Sequence, residues 1–280
     1  METEEVSLVL SSGGARGLTQ VGVIEEISKD NKKIVEISGS SIGSLVAAFY
    51  AAGKLDVFKK WIVGLDRMKV FSFMDFTVSG QGLLKGDKAF KYLKSIIPDQ
   101  KIENLKIPIS IIVTDVINNK EVVIREGSMY EAIRASCSIP GLVKPYVRDK
   151  TEYVDGGVIN PLPINRLKNK KKIITVNLNA PPVSELKNKK GIKSGFYNYF
   201  FSFKDFFLNK EAHQNLGFYD ITYRSIHMMQ NELSKSQIKK HKTFKNIEIP
   251  CNMCYPLEFY RAGEMIKLGR KFYKKTKNNY

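Results

Sequence analysis

Val6-Ser7-Leu8-Val9-Leu10-Ser11-Ser12-Gly13-Gly14-Ala15-Arg16-Gly17 opens the chain, and Lys33-Ile34-Val35-Glu36-Ile37-Ser38-Gly39-Ser40-Ser41-Ile42-Gly43 repeats its plan. In each stretch a short run with apolar positions stops at a cluster of small residues. A helical pattern follows. After the first cluster, Leu18, Val21, Ile24 and Ile27 recur at helical spacing. After the second, Ile42–Ala52 is almost wholly apolar and stops at Gly53. Strand, glycine loop, helix, strand, turn and helix in this order predict a parallel sheet covered by helices.

Working outward, Ile107–Thr114 reads as a third strand, with Glu121–Arg125 pairing beside it across Asn118-Asn119. Met129–Cys137 reads as a helix that ends before Ile139-Pro140-Gly141. Tyr153–Asp155 is a short strand closed by Gly156-Gly157, Lys172–Leu178 is a buried strand, and Asn246–Ile249 is the last. Phe218–Lys240 and Leu257–Lys275 read as helices. The expectation is one α/β domain over residues 1–280, with a mostly parallel central sheet and helices on both faces. An exposed basic loop is expected near 180–195, because it is rich in Pro, Lys, Gly and Ser, and a helical C-terminal part over 218–275.

Composition narrows the function classes. With 43% hydrophobic and 26% charged residues the chain can build a real core, so disorder is not expected. Lys and Arg number 45 against 28 Asp and Glu, a net +17, and the excess is uneven. Lys168–Lys210 holds ten Lys against Glu185 and Asp205, and Arg261–Tyr280 holds seven Lys or Arg against Glu264. Such a surface suits phosphate groups on a membrane or on nucleic acid. A genome that fills surfaces with Lys and Asn accounts for it equally well. Named nucleic-acid motifs are missing, so nucleic acid is not an expected partner.

Cys137, Cys251 and Cys254 are too few for a disulfide framework and fit a reducing compartment. Cys251-Asn-Met-Cys254 matches C-x-x-C, but Tyr255-Pro256 follows where a redox motif would open a helix. His213, His227 and His241 lack finger-like spacing, so neither a metal nor an organic cofactor is expected. The acidic start Met1-Glu2-Thr3-Glu4-Glu5 has no signal-peptide pattern, and no stretch approaches 18 consecutive apolar residues. These readings point to a cytoplasmic protein that contacts membranes at most peripherally.

Three short motifs carry the chemistry. Gly39-Ser40-Ser41-Ile42-Gly43 is G-x-S-x-G between a strand and a helix. Small flanking residues allow the sharp turn, which holds the Ser41 hydroxyl out at a helix N-terminus. Ser12-Gly13-Gly14-Ala15-Arg16-Gly17 can turn successive N–H groups into one small volume, an anion nest; it is neither a Walker loop nor G-x-G-x-x-G. Asp155-Gly156-Gly157 sets a carboxylate at a strand end beside glycines that permit close approach. Each motif alone also has a reading as an ordinary tight turn, strongest for Asp155-Gly156-Gly157 and weakest for the Ser12–Gly17 loop. Their joint occurrence is what argues for chemistry.

Together these residues resemble the patatin-like phospholipase family, which carries G-G-G-x-[RK]-G, G-x-S-x-G and D-G-[GA] in this order. Ala135-Ser136-Cys137-Ser138-Ile139-Pro140-Gly141, Asn160-Pro161-Leu162-Pro163 and Phe259-Tyr260-Arg261-Ala262-Gly263-Glu264 are similar to further family segments, so the resemblance runs along nearly the whole chain. Ser12 stands where the family has its first loop glycine. The resemblance implies an architecture related to the α/β-hydrolases and hydrolysis of a lipid acyl ester. It implies Ser41 as nucleophile, Asp155 as its base, and N–H groups of Gly13, Gly14 and Ala15 as the oxyanion hole. Arg16 and Gly17 would support the loop or meet a lipid phosphate, and Gly39, Gly43, Gly156 and Gly157 would shape the turns.

The chemistry is coherent on physical grounds as well. A serine hydroxyl needs a base within hydrogen-bond reach, and partial burial makes a carboxylate a better base. A Ser-His-Asp triad is the rival mechanism, but none of the three histidines stands in a strand-end loop. General carboxylesterase or lipid acyltransferase activity is the alternative within enzymes. A non-catalytic basic protein that binds membrane or nucleic acid is the alternative outside them. The aromatic run Phe196–Phe207 puts Phe196, Tyr199, Phe200, Phe203 and Phe207 on one helical face next to lysines. It reads either as a membrane-docking helix or as a core helix over an acyl pocket.

Overall fold

The computed structural model describes residues 3–77, 80–170, 172–183 and 218–280. The expected basic loop beyond Val183, His213 and the aromatic run lie outside these residues. The first unit forms as read: β1 (Glu4–Leu10), α1 (Leu18–Lys29), β2 (Lys32–Ser40) and α2 (Ile42–Ala51). Three helices that the sequence reading did not identify follow, α3 (Leu55–Val63), α4 (Arg67–Ser72) and α5 (Asp87–Ile96). They are short and carry polar residues on their outer sides, so no long apolar period marks them. Then come β3 (Ile109–Asp115), β4 (Lys120–Ile124), α6 (Met129–Ser136), β5 (Tyr146–Arg148), β6 (Thr151–Asp155) and β7 (Ile173–Ala180). The described chain ends with α7 (Phe218–Lys240), β8 (Lys245–Pro250) and α8 (Ala262–Lys275). The last helix starts later than Leu257, because Phe259–Arg261 forms a 3-10 turn before it.

The sheet is α/β and mostly parallel. Its hydrogen-bonded path runs β5-β6-β3-β2-β1-β7-β8, with β4 also on β3. The pairs β1–β2, β1–β7, β2–β3 and β7–β8 are parallel, whereas β4, β5 and β6 pair antiparallel. One register detail positions the site. β4 pairs with β3 from Ile111 to Asp115 and so occupies one edge of that strand. The other edge is shared: β2 ends with Ser40 opposite Ile112, and β6 ends with Asp155 opposite Val113. Two chain segments separated by more than a hundred residues therefore meet end to end on consecutive residues of one strand.

Both faces of the sheet are covered. On β1, Val6, Leu8 and Leu10 face the main core, which includes α1, α2, α6 and α8. Val9 points the other way into a smaller cluster with Leu162, Ile164, Leu167 and Ile173, against which Ile238 of α7 packs. This alternation is the period-two pattern of a strand buried on both sides. α1 and α8 approach so closely that a Cβ on Gly22 would collide with the Ile266 carbonyl, and one on Gly269 with the Thr19 carbonyl. Among the described residues no helix is long and apolar enough to cross a membrane.

Candidate active site

Ser41 caps α2 at the end of β2 with φ 55° and ψ −127°, a conformation that side chains rarely adopt. Holding it there costs about 1–3 kcal/mol, which its surroundings must supply. They do so by proximity. A Cβ on Gly39 would stand 2.7 Å from the Gly43 carbonyl, and one on Gly43 would collide with the Leu10 carbonyl. Only glycine at both positions lets the turn close against β1. The Ser41 N–H donates to Ser136 Oγ at 2.9 Å, and Ser136 Oγ donates to the Ile112 carbonyl at 2.6 Å. Ser136 is at the end of α6, and sequence reasoning had not singled it out. Its only signal was its place in the segment Ala135–Gly141.

Asp155 meets this serine from β6. The Ser41 hydroxyl donates to Asp155 Oδ2, and the Gly157 N–H donates to Asp155 Oδ1 at 2.7 Å. The main chain of Asp155 is held too: its N–H donates to the Ser138 carbonyl at 2.9 Å and its carbonyl accepts from Thr114 Oγ1 at 3.1 Å. Desolvation dominates its acidity. Burial raises the carboxyl from 3.8 to about 7, against the lowering effect of the Ser41 and Gly157 hydrogen bonds. Gly156 lies against the Ile112 carbonyl, and Gly157 lies against Ser12.

The glycine loop comes off β1 beside them. Gly13 packs on Leu178, and Gly14 has φ +57° and lies against Pro256. The Ala15 N–H donates to the Pro256 carbonyl at 2.9 Å, so it is not a free donor for an anion, contrary to the expectation for this residue. Among the described residues the N–H groups of Gly13 and Gly14 have no acceptor. Gly17 lies against Ile42 and so joins the loop to the start of α2.

Arg16 is fully buried, yet no carboxylate is within ion-pair distance among the described residues. Its guanidinium donates to Tyr223 Oη at 3.0 Å, to the Cys254 carbonyl at 3.0 Å and to His227 Nε2 at 3.2 Å. Tyr223 and His227 belong to α7, so Arg16 ties the glycine loop to that helix. Burial first, and then the Arg16 charge, push the His227 pKa down to about 3, so this imidazole stays neutral. Its hydrogen-bond partner is Arg16, not Ser41 or Asp155. His241 lies just beyond α7 and does not line the cavity.

Gly13, Gly14, Ser41, Asp155 and Gly157 open on one cavity of about 1020 Å³, at the upper end of the range for ligand pockets. Its walls are apolar, with Val70, Met74, Leu83, Leu142 and Ile226 among them. Among the described residues no cluster of His, Cys, Asp or Glu could hold a metal ion. Cys251 and Cys254 are free thiols, and burial pushes Cys254 up to about 12.

Residues 8–168 match the family model for the patatin-like phospholipase. The uncharacterized NTE family protein Rv1063c of Mycobacterium tuberculosis is 28% identical over 320 residues, 95% of this chain and 89% of that protein. Patatin-like phospholipase domain-containing protein 7 of Mus musculus is 29% identical over 62% of this chain and 14% of its own length. Lysophospholipase NTE1 of Scheffersomyces stipitis is 27% identical over 97% of this chain and 18% of its own length. The family model covers more than half of the chain, which belongs to the patatin-like phospholipases and is a hydrolase of ester bonds.

Proposed function

We propose that the chain hydrolyses the acyl ester of phospholipids or related lipids through an acyl-Ser41 intermediate. The observation that carries this reading is the hydrogen bond from the Ser41 hydroxyl to the buried Asp155 carboxylate, on the wall of an apolar cavity. Ionised Asp155 takes the Ser41 proton as Oγ attacks the ester carbonyl. The negative charge on the carbonyl oxygen is met by the N–H groups of Gly13 and Gly14, with the start of α2 adding its dipole. Such donors contribute about 3–4 kcal/mol to the transition state. Protonated Asp155 then gives its proton to the leaving alkoxide, which departs as the alcohol and leaves acyl-Ser41. Asp155 next takes a proton from water as that water attacks the acyl group, and returns the proton to Ser41 Oγ as the C–Oγ bond breaks and the acid leaves.

The cavity speaks for a lipid acyl group, because an apolar wall gains only by covering apolar surface. Arg16 is engaged by α7 and by Cys254, and its role in this reading is to hold the loop that bears Gly13 and Gly14.

A fluorophosphonate probe tests the nucleophile: the adduct should map to Ser41. A hydrolysis screen over diacyl phospholipids, lysophospholipids and short p-nitrophenyl esters should show turnover by wild type and none above background by Ser41→Ala. Undiminished labelling of the Ser41→Ala protein would sink the assignment.

A further inference from the structure

α7 sends several polar side chains inward and, among its exposed charged residues, several apolar ones outward. A helix on a protein surface ordinarily turns its apolar stripe to the body and its polar side to water. Here Tyr223, His227, Gln230 and Ser234 face inward, at positions one helical turn apart. Tyr223 and His227 hold Arg16, Gln230 Nε2 donates to the Gly157 carbonyl at 3.0 Å, and Ser234 is fully buried beside Asn179. These bonds prevent the helix from turning over. Its outward side consequently carries Ile221, Met228, Met229 and Leu233, exposed by 53%, 70%, 58% and 38%.

This apolar side is continuous with the mouth of the cavity. Met229 and Leu233 line the cavity as well, and from other segments Phe76, Val158 and Tyr255 do the same while exposing 41%, 44% and 47%. The exposed apolar rim is thus built from four separate segments around one opening. A single docked peptide or helix would need one groove, whereas a broad rim round a pocket suits a flat apolar medium. Charge selects the kind of medium. Over residues 221–240, Arg224, Lys235, Lys239 and Lys240 stand against Glu232 alone, within a chain of net charge +17.

We propose that the outer side of α7 and the cavity rim seat on an anionic lipid bilayer, with Ile221, Met228 and Met229 dipping into the interface. The cavity mouth then opens directly into the acyl region, so a lipid can slide in without crossing water. This inference rests on the lipid-hydrolase reading for its purpose, but the docking surface is testable without turnover.

The experiment uses the Ser41→Ala protein and vesicles of three parts phosphatidylcholine to one part phosphatidylglycerol. Cosedimentation should show binding that weakens with salt and falls roughly tenfold in Ile221→Ser with Met228→Ser. The companion measurement needs no surface variant: hydrogen peroxide oxidation of Met228 and Met229, followed by mass spectrometry, should be fast in free protein and roughly tenfold slower with vesicles. Wild type carrying the same double substitution should hydrolyse a soluble p-nitrophenyl ester at the unsubstituted rate. Loss of that activity in unsubstituted wild type would count against the hydrolase reading, not against docking. Undiminished vesicle binding by the double variant, or methionines that stay reactive on bound vesicles, would overturn the docking surface. Methionines already protected without vesicles would overturn it too. Protection independent of protein concentration would mean cover by the chain itself, and protection that grows with concentration a second copy.

Discussion

Ser136 stands behind Ser41 as the acceptor of its main-chain N–H at 2.9 Å, and its own hydroxyl donates a hydrogen bond to the Ile112 carbonyl at 2.6 Å. Ile112 is the residue opposite Ser40 in the sheet, so one hydroxyl links α6, β3 and the strained turn. Ser136→Ala leaves that buried N–H without a partner. The expected loss is about 1–3 kcal/mol in urea unfolding. It should also lower kcat several-fold with little change in KM, because the turn that aims Ser41 relaxes while the cavity is untouched.

The carboxyl of Asp155 is raised from 3.8 to about 7, mainly by desolvation, and this fixes the pH dependence. Only the ionised form can take the Ser41 proton. We expect kcat/KM on a soluble ester to rise about tenfold per pH unit up to roughly pH 7 and then level off. A flat profile between pH 5 and 8 would contradict Asp155 as the base.

The same shift has a stability counterpart of opposite sense. A folded-state pKa above the unfolded value stabilises the fold fully below about pH 4, and this contribution is lost as pH rises through about 7. At about 1.4 kcal/mol per unit, the loss by pH 8 is on the order of 4 kcal/mol. Asp155→Asn keeps an acceptor for the Gly157 N–H and carries no charge. It should therefore unfold at higher urea than wild type at pH 8, with the difference vanishing toward pH 4, while turnover drops by roughly a thousandfold.

His227 should behave as a support of the loop and not as a triad member, because its partner is Arg16. His227→Ala is expected to lower stability by about 1–3 kcal/mol, since the buried Arg16 loses a partner. Activity on a soluble ester should persist, with the midpoint of its pH profile unmoved. Abolished turnover in a folded His227→Ala protein would favour a histidine base.

Gly43→Ala tests the closeness of the turn to β1. The added methyl meets the Leu10 carbonyl, and overpacking of this kind costs about 3 kcal/mol. Loss of fluorophosphonate labelling should accompany the drop in the urea midpoint.

The first four elements could be read from the sequence because their signals are local: apolar runs, helical spacing and glycine clusters all lie within residues 4–53. α3, α4 and α5 could not, because six to ten residues with mixed polarity form helices only where a larger body covers one side. The three-residue β5 was missed for a similar reason: it exists only by pairing with β6. That Ala15 is bound by Pro256, and that Tyr223 and His227 of α7 hold Arg16, depend on contacts more than two hundred residues apart in the chain.

What the sequence determined by itself is the parallel α/β plan and the three loops where small residues expose Ser41, the Gly13-Gly14 amides and Asp155. Their residue types and local turns are written in adjacent positions, and local sterics enforce them. Only the tertiary structure decided that the Ser41 hydroxyl reaches Asp155. That meeting rests on β2 and β6 ending on neighbouring residues of β3, a register set by long-range pairing and burial. The same burial strips water from the carboxyl and raises its pKa to about 7.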